Sequence, residues 1–162
     1  MFTNIQKKMF YEDKLYSKII FLSRNKLLYT KFDLKDTFQN RINLIFFHIS
    51  FIFIKIKENK DKKLYKKFYQ LMFDHIFNQI EVNMREIGYG DVAVNKNMKF
   101  LVKVFYDILL NCEKYRKMSL ISKRKLIDKY ILLNNIENTD KNNDLINYFD
   151  KYNTFCLDLS SD

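Results

Sequence analysis

Glycine and proline are almost absent from this chain. Its 162 residues contain no proline and two glycines, Gly88 and Gly90, which both lie in the segment REIGYGDVAV at residues 85–94. No segment pairs period-2 alternation of apolar residues with turn signals, so sheets are disfavoured. Helices joined by short polar loops are favoured instead. The sequence predicts an all-α, single-domain helical bundle of about five to seven helices, with a short helical tail.

Apolar residues recur at helical spacing in several segments. Amphipathic helices are predicted over 14–29 and from Phe68 to Ile87, and a further one, antiparallel to the second, from Met98 to Cys112. Shorter helices are predicted over 119–133 and 143–152. A polar linker, NNIENTDKNN, separates these last two. We expect residues 1–135 to form one helical domain and residues 136–162 to be a polar linker with a short helical or disordered tail.

The segment INLIFFHISFIFI, residues 42–54, is uncharged between Arg41 and Lys55. As a helix it rises about 20 Å, against roughly 30 Å of bilayer core. Asn43, His48 and Ser50 also interrupt it. The segment therefore predicts a buried core helix rather than a membrane span, and Asp36 or Thr37 is a candidate cap at its start.

The formal net charge is +10. Such a charge favours an anionic partner, either RNA, a ribosome surface or acidic lipid. The heavy use of Lys, Asn, Ile, Phe and Tyr offers a second explanation, namely the composition that an AT-rich genome imposes. The strongest local cluster is KIKENKDKKLYKK at residues 55–67, which is either a solvated inter-helix loop or a basic surface formed by Lys60, Lys62, Lys63, Lys66 and Lys67.

Residues that carry chemistry are sparse and scattered. Cys112 and Cys156 have no CxxC spacing, which predicts two reduced thiols rather than a disulfide or zinc site. His48 and His75 lack a second ligand at helical spacing, and we expect both to be satisfied helix histidines. The two glycines follow a helix without a GK[ST] motif, which disfavours a nucleotide site. The sequence predicts no catalytic residues, no metal and no cofactor.

The two glycines have a backbone explanation. A helix that ends at Ile87 favours a left-handed residue directly afterwards, and Gly88 supplies it without steric cost. Gly90 then permits a second unusual φ or the close approach of another chain. Asp91 is placed to accept backbone amide hydrogens or to meet Arg85. The segment predicts a rigid, polar and accessible turn.

Three blocks of the sequence resemble one family. The segment FDHIFNQIEVNMREIGYGDVAVNKNMKFLVKVFYDIL resembles the signature of the ubiquinol-cytochrome c chaperone family, in which LREMGVGD, VGKKVK and an FYGR-like helix follow one another. Upstream, DTFQNRINLIFFHISFIFIKI is similar to a second block of that family and carries Asp36, Thr37, Arg41 and His48. The leading stretch LYSKIIFLSRNKLLYTKF also looks like its first helix. Departures from the pattern are Gln79 and Glu81, Asn40, Asn95, and Asp107 with Ile108.

The resemblance covers residues 14–115 and implies a non-enzymatic assembly factor. The resemblance implies that mitochondrial members of the family look after newly made cytochrome b, near the ribosome exit and the inner membrane, until it joins the cytochrome bc complex. For this chain it implies a bacterial chaperone on the cytoplasmic face of the inner membrane. Its opening residues lack the apolar stretch of a signal peptide and the Arg/Ser richness of a transit peptide.

Partners and site residues follow from the same resemblance. The expected partner is cytochrome b or another cytochrome bc complex subunit, with the ribosome exit region and an anionic membrane surface as further partners and no DNA. The oligomeric state stays open. The alternative is a ribosome- or RNA-binding module that uses the lysines of residues 60–67. The candidate client-binding residues are Arg85, Glu86, Gly88, Gly90, Asp91, Lys96 and Lys99, and the second matching block adds Asp36, Arg41 and His48.

Overall fold

The computed structural model describes the backbone of residues 4–58, 60–135 and 139–158, and the side chains of residues 13–58, 60–135 and 143–156. These residues form seven α-helices and one 3₁₀ turn, Tyr115–Lys117, and their only β feature is an isolated antiparallel bridge between Leu34 and Leu133. The all-α prediction is confirmed. The helices are α1 Asn4–Ser23, α2 Lys26–Thr30, α3 Phe38–Lys57, α4 Lys62–Glu86, α5 Asp91–Lys114, α6 Leu120–Tyr130 and α7 Thr139–Asp158.

Helix α3 is the centre of the bundle. It packs against α1, α4, α5 and α7, and every residue from 42 to 50 is buried. A helix that is apolar on all sides needs neighbours on all sides, which explains this position. The prediction of a core helix over 42–54 is thus confirmed. Within the described part of the chain, no helix is long and apolar enough to cross a membrane.

Consecutive aromatic residues of α3 point to different neighbours. The ring of Phe46 lies 5.6 Å from Phe77 on α4 and 5.3 Å from Phe105 on α5. The ring of Phe47 lies 5.1 Å from Phe149 on α7. Aromatic pairs at these separations add to the free energy gained by burial. Both sides of α3 are therefore packed by rings, and α7 is one of the elements that cover it.

The first predicted helix is divided in two. The sequence predicts one helix over 14–29, whereas α1 ends at Ser23 and α2 begins at Lys26. The side chain of Asn25 accepts a hydrogen bond of 3.0 Å from the backbone N–H of Leu27 and so caps α2. A short polar side chain that binds the backbone locally competes with helix continuation, which explains the break.

Two helices begin at earlier residues than the sequence predicts. Helix α4 begins at Lys62 rather than Phe68, because the Asp61 carboxylate caps it through the N–H groups of Lys63 and Leu64. Helix α5 begins at Asp91, so the segment DVAVNKN, predicted to be a connection, forms its first turns. The same segment carries Val94, which is buried and belongs to the apolar stripe. The α4–α5 connection is therefore only residues 87–90 long.

The C-terminal part of the chain packs against the same core. Helix α7 is twice as long as the predicted helix over 143–152 and begins inside the predicted polar linker. Its residues Leu145, Ile146 and Phe149 are fully buried, and Tyr115 donates a hydrogen bond to the carbonyl of Ile146. The division of the chain into domains at residue 135 stays a prediction. The burial of these residues makes α7 part of the packing around α3.

Candidate functional site

The turn between α4 and α5 is closed by a specific backbone motif. The N–H of Tyr89 donates to the carbonyl of Met84 at 3.0 Å, and the N–H of Gly88 donates to that of Arg85 at 3.1 Å. These two bonds form a Schellman motif, which satisfies the last carbonyls of a helix. Gly88 has a φ of +98°, a conformation that side-chain-bearing residues rarely adopt. The role predicted for Gly88 is confirmed.

Gly90 does not adopt a conformation that requires glycine. Its φ is −74° and its ψ is 166°, an extended conformation open to any residue, so the prediction of a second unusual φ is wrong. A β-carbon added at Gly90 would meet no atom within 4 Å. Gly90 is the N-cap residue of α5 and offers no side chain to the first amides of that helix. The fold alone therefore does not explain why this position is glycine.

Arg85 joins the two helices through their acidic residues. Its guanidinium donates to the carboxylate of Asp91, the first residue of α5, and its Nη2 donates to Glu81 at 3.1 Å. These hydrogen bonds, that of Asp91 above all, raise the pKa of Arg85. Asp91 is also placed well as an acid in the first turn of a helix. The predicted meeting of Arg85 and Asp91 is present.

The surface beside this ion pair carries apolar as well as charged residues. Ile87, Tyr89 and Val92 are exposed, and Val92 is 84% accessible. Glu86 is exposed and forms no hydrogen bond or ion pair within the described residues. The structure thus brings Arg85, Glu86, Gly88, Gly90 and Asp91 together in one accessible turn. Lys96 and Lys99 follow on the exposed side of α5.

Asp36 and Arg41 form a second cluster at the start of α3. Arg41 donates to the two carboxylate oxygens of Asp36 at 2.7 and 2.9 Å, and these bonds hold the pKa of Asp36 below its usual value. Thr37, rather than Asp36, caps α3. The pair lines an open cavity of about 240 Å³ whose other walls are Arg24, Lys26, Tyr29 and Thr30.

His48 is placed away from any surface. It is fully buried, its Nδ1 lies 2.6 Å from the carbonyl oxygen of Leu44, and its Nε2 lies 2.7 Å from the hydroxyl of Tyr148 on α7. Burial lowers its pKa to about 4, so the ring is neutral at pH 7. His75 lies 3.4 Å from Asp13 and packs edge-on against Tyr16. The prediction of satisfied helix histidines is confirmed, and His48 lies apart from the exposed pair Asp36–Arg41.

The predicted basic surface is mainly helical. Lys62, Lys63, Lys66 and Lys67 lie in the first turns of α4 and Lys60 just before them, and all five are exposed. Of the predicted inter-helix loop over 55–67, residues 55–57 and 62–67 are helical, and residues 58, 60 and 61 lie outside the helices. Lys57 pairs with Glu113 at 2.9 Å. The cluster is a separate surface from the α4–α5 turn, since it lies at the other end of α4.

Several residues that organise these sites were not identified from the sequence. Asn40, fully buried, donates to the carbonyls of Lys35 and Leu132 and accepts from the N–H of Leu132. Asp107 accepts hydrogen bonds from Tyr130 and from Lys129, which tie α5 to α6. The sequence marked Asn40 and Asp107 in one way only, because both depart from the pattern of the family that the chain resembles.

Cysteine and metal chemistry find little support in the described residues. Cys112 and Cys156 are both buried, and burial raises the pKa of each thiol. The described part of the chain holds no group of three His, Cys, Asp or Glu residues that is placed to bind a metal ion.

Fold and surfaces together define a class of protein: an all-α helical bundle with a braced, exposed turn of mixed charged and apolar character. The chain belongs to the ubiquinol-cytochrome C chaperone family, whose model matches residues 30–130. The fold is similar to that in the crystal structure of the Cbp3 homolog from Brucella abortus, with a TM-score of 0.77 and 20% sequence identity. That match covers 93% of this chain and 82% of the other. No curated protein matches the chain in sequence.

Proposed function

We propose that this protein is a non-enzymatic chaperone for assembly of the cytochrome bc complex, and that it holds newly made cytochrome b, or another subunit of that complex, until assembly. Membership of the ubiquinol-cytochrome C chaperone family supports the proposal. The client would be bound through the α4–α5 turn, and the protein would lie peripherally on the cytoplasmic face of a bacterial inner membrane.

The choice of the α4–α5 turn as the client-binding surface rests on one observation, which is that the turn is both rigid and exposed. The Schellman motif and the bridge from Arg85 to Glu81 and Asp91 fix its backbone. Exposed Ile87, Tyr89 and Val92 offer apolar contact to a membrane-protein segment. A surface that is ordered before binding loses little conformational entropy on association. The glycine at position 90, which the fold does not require, leaves room for a partner's backbone.

The test is complementation of a strain from which the gene has been deleted. Deletion should remove the cytochrome b haem signal and quinol oxidation, and the parent gene should restore both. We expect Arg85→Ala combined with Asp91→Ala to fail. The matched control is Lys57→Ala combined with Glu113→Ala, which removes another exposed ion pair between helices. Normal haem spectra in the deletion strain, or equal behaviour of the two double variants, would refute the proposal.

A second candidate function rests on the lysines at the start of α4. Five exposed lysines within residues 60–67 are suited to a phosphate backbone, which makes ribosome or RNA binding the alternative. This alternative predicts ribosome binding that falls steeply with salt. It also predicts loss of function when Lys60, Lys62, Lys63, Lys66 and Lys67 are changed to Gln. A fully functional variant with these five changes would eliminate it.

A further inference from the structure

We propose that the exposed face of α5 is a docking surface for an anionic lipid bilayer. This face, the α5 outer face, consists of Val92, Lys96, Lys99, Lys103, Tyr106 and Leu110. From the sequence, Lys96 and Lys99 were assigned to the client-binding residues, and the lysines of residues 60–67 were taken as the basic surface.

The α5 outer face is continuous along the helix. Its six residues follow one another at intervals of three or four, which places them along one side. All six are exposed, whereas Val94, Leu101, Phe105 and Ile108 on the opposite side are buried against the bundle. Residues 92 to 110 span about 27 Å at the rise of an α-helix. The face is thus long enough to lie flat along a membrane surface.

The acidic residues of α5 are paired within the protein, whereas the lysines of its outer face are not. All three of its acids are in ion pairs with cations of other elements: Asp91 with Arg85, Asp107 with Lys129 and Glu113 with Lys57. The ammonium groups of the outer-face lysines make no hydrogen bond or ion pair with any residue that the structure describes. The acids are therefore neutralised within the protein, while three positive charges are left for an external anion.

The side chains that flank these lysines favour lipid over RNA. Val92 and Leu110 at the two ends are aliphatic, 84% and 57% exposed, and cannot stack on bases as aromatic rings do, and Tyr106 is the one aromatic residue of the face. The three lysines are attracted to an anionic membrane surface, and the aliphatic ends of the face can contact its headgroup region. The proposal does not depend on the proposed client, but it would bring the adjacent α4–α5 turn to the surface from which a membrane protein emerges.

Tryptophan fluorescence tests the orientation directly, because the chain contains no tryptophan. We would prepare the full chain as Val92→Trp, and as Leu64→Trp for comparison, since Leu64 is exposed among the lysines of α4. With vesicles that contain phosphatidylglycerol, we expect a blue shift of V92W and quenching by brominated lipid, and neither effect for L64W. A shift of L64W but not of V92W, or of neither, would overturn the proposal.

Charge removal gives an independent measurement with the same vesicles, again without any client protein. Three lysines near an anionic surface contribute about fivefold each, so K96Q/K99Q/K103Q should weaken partitioning to these vesicles on the order of 100-fold. The variant K62Q/K63Q/K66Q loses the same charge from α4 and should weaken it by at most about fivefold. Equal weakening by both variants would contradict the proposal. So would a loss of RNA oligonucleotide binding by the first variant with unchanged vesicle partitioning.

Because this assay contains no cytochrome b, its result is separate from that of the complementation test. Vesicle binding with no cytochrome b phenotype would support the lipid surface and refute the chaperone assignment. The reverse result would refute the lipid surface alone.

Discussion

Arg85, in the last turn of α4, is ion-paired with Asp91, the first residue of α5, and so braces the turn that separates them. Both side chains are largely exposed, and exposed ion pairs contribute little to folding stability. Arg85→Ala should therefore leave the thermal unfolding midpoint, followed by circular dichroism, close to that of the parent. A large decrease that becomes smaller at high salt would show instead that the ion pair is required for folding.

The two glycines of the turn should respond differently to substitution. Gly88→Ala forces a side chain into a positive φ and should cost about 1–2 kcal/mol of unfolding free energy. Gly90→Ser gives α5 a capping hydroxyl and should stabilise the protein by a few tenths of a kcal/mol. Chemical denaturation measures both. If G90S is as destabilising as G88A, the fold does require glycine at position 90. If G90S folds normally but fails in complementation, Gly90 contacts the partner.

Asn40 should be among the most sensitive polar residues of the fold. Its side chain makes three hydrogen bonds, at 2.8, 2.7 and 2.9 Å, to Lys35 and Leu132. Asn40→Ala leaves the N–H of Leu132 without a partner, while the carbonyls of Lys35 and Leu132 each keep one backbone hydrogen bond, and it should cost about 1–3 kcal/mol. The exposed Asn95 on α5 is the matched control, and Asn95→Ala should be nearly neutral. Equal denaturation midpoints for the two variants would contradict the role assigned to Asn40.

Stability should depend on pH through His48. In the folded protein its pKa is lowered to about 4, whereas the ordinary value of 6.5 applies in the unfolded chain. Between these values the unfolded chain binds the extra proton, so stability is complete above pH 6.5 and decreases as the pH falls towards 4. The expected loss is about 3 kcal/mol.

Denaturation curves at several pH values measure this effect. His48→Gln should remove the part of the pH dependence between 6.5 and 4, whatever its effect on absolute stability. His75→Gln, which changes the other histidine, should retain it. A His48→Gln variant with the same slope as the parent would show that His48 does not control this range.

The helices and the core were largely predictable because they rest on periodicity, which is local. The stripe from Met72 to Met84 and the uncharged segment of α3 could each be assigned to a buried face without knowledge of a partner helix. The boundaries were less accurate, because they depend on capping hydrogen bonds such as those of Asn25 and Asp61, and the sequence does not show which polar residues make them.

Long-range contacts could not be predicted from the residues themselves. Asn40 binds Leu132 across 92 positions, and His48 binds Tyr148 across 100. Neither amide nor imidazole reveals its partner in a sequence. The candidate turn was identified because its two glycines stand out in a chain that lacks them elsewhere. The lysines of α5 also follow from helical spacing, but the significance of the α5 outer face depends on which charges are already paired in the fold.

The most direct measurement of the central claim is site-specific photocrosslinking in cells. A photoreactive phenylalanine analogue would replace Tyr89 in the turn, Leu64 at the start of α4, or Phe155 on α7, all of which are exposed. The proposed function predicts a crosslink to newly made cytochrome b, or to another subunit of the cytochrome bc complex, from position 89 and none from positions 64 and 155. No such crosslink from position 89, or one only from the other positions, would contradict it.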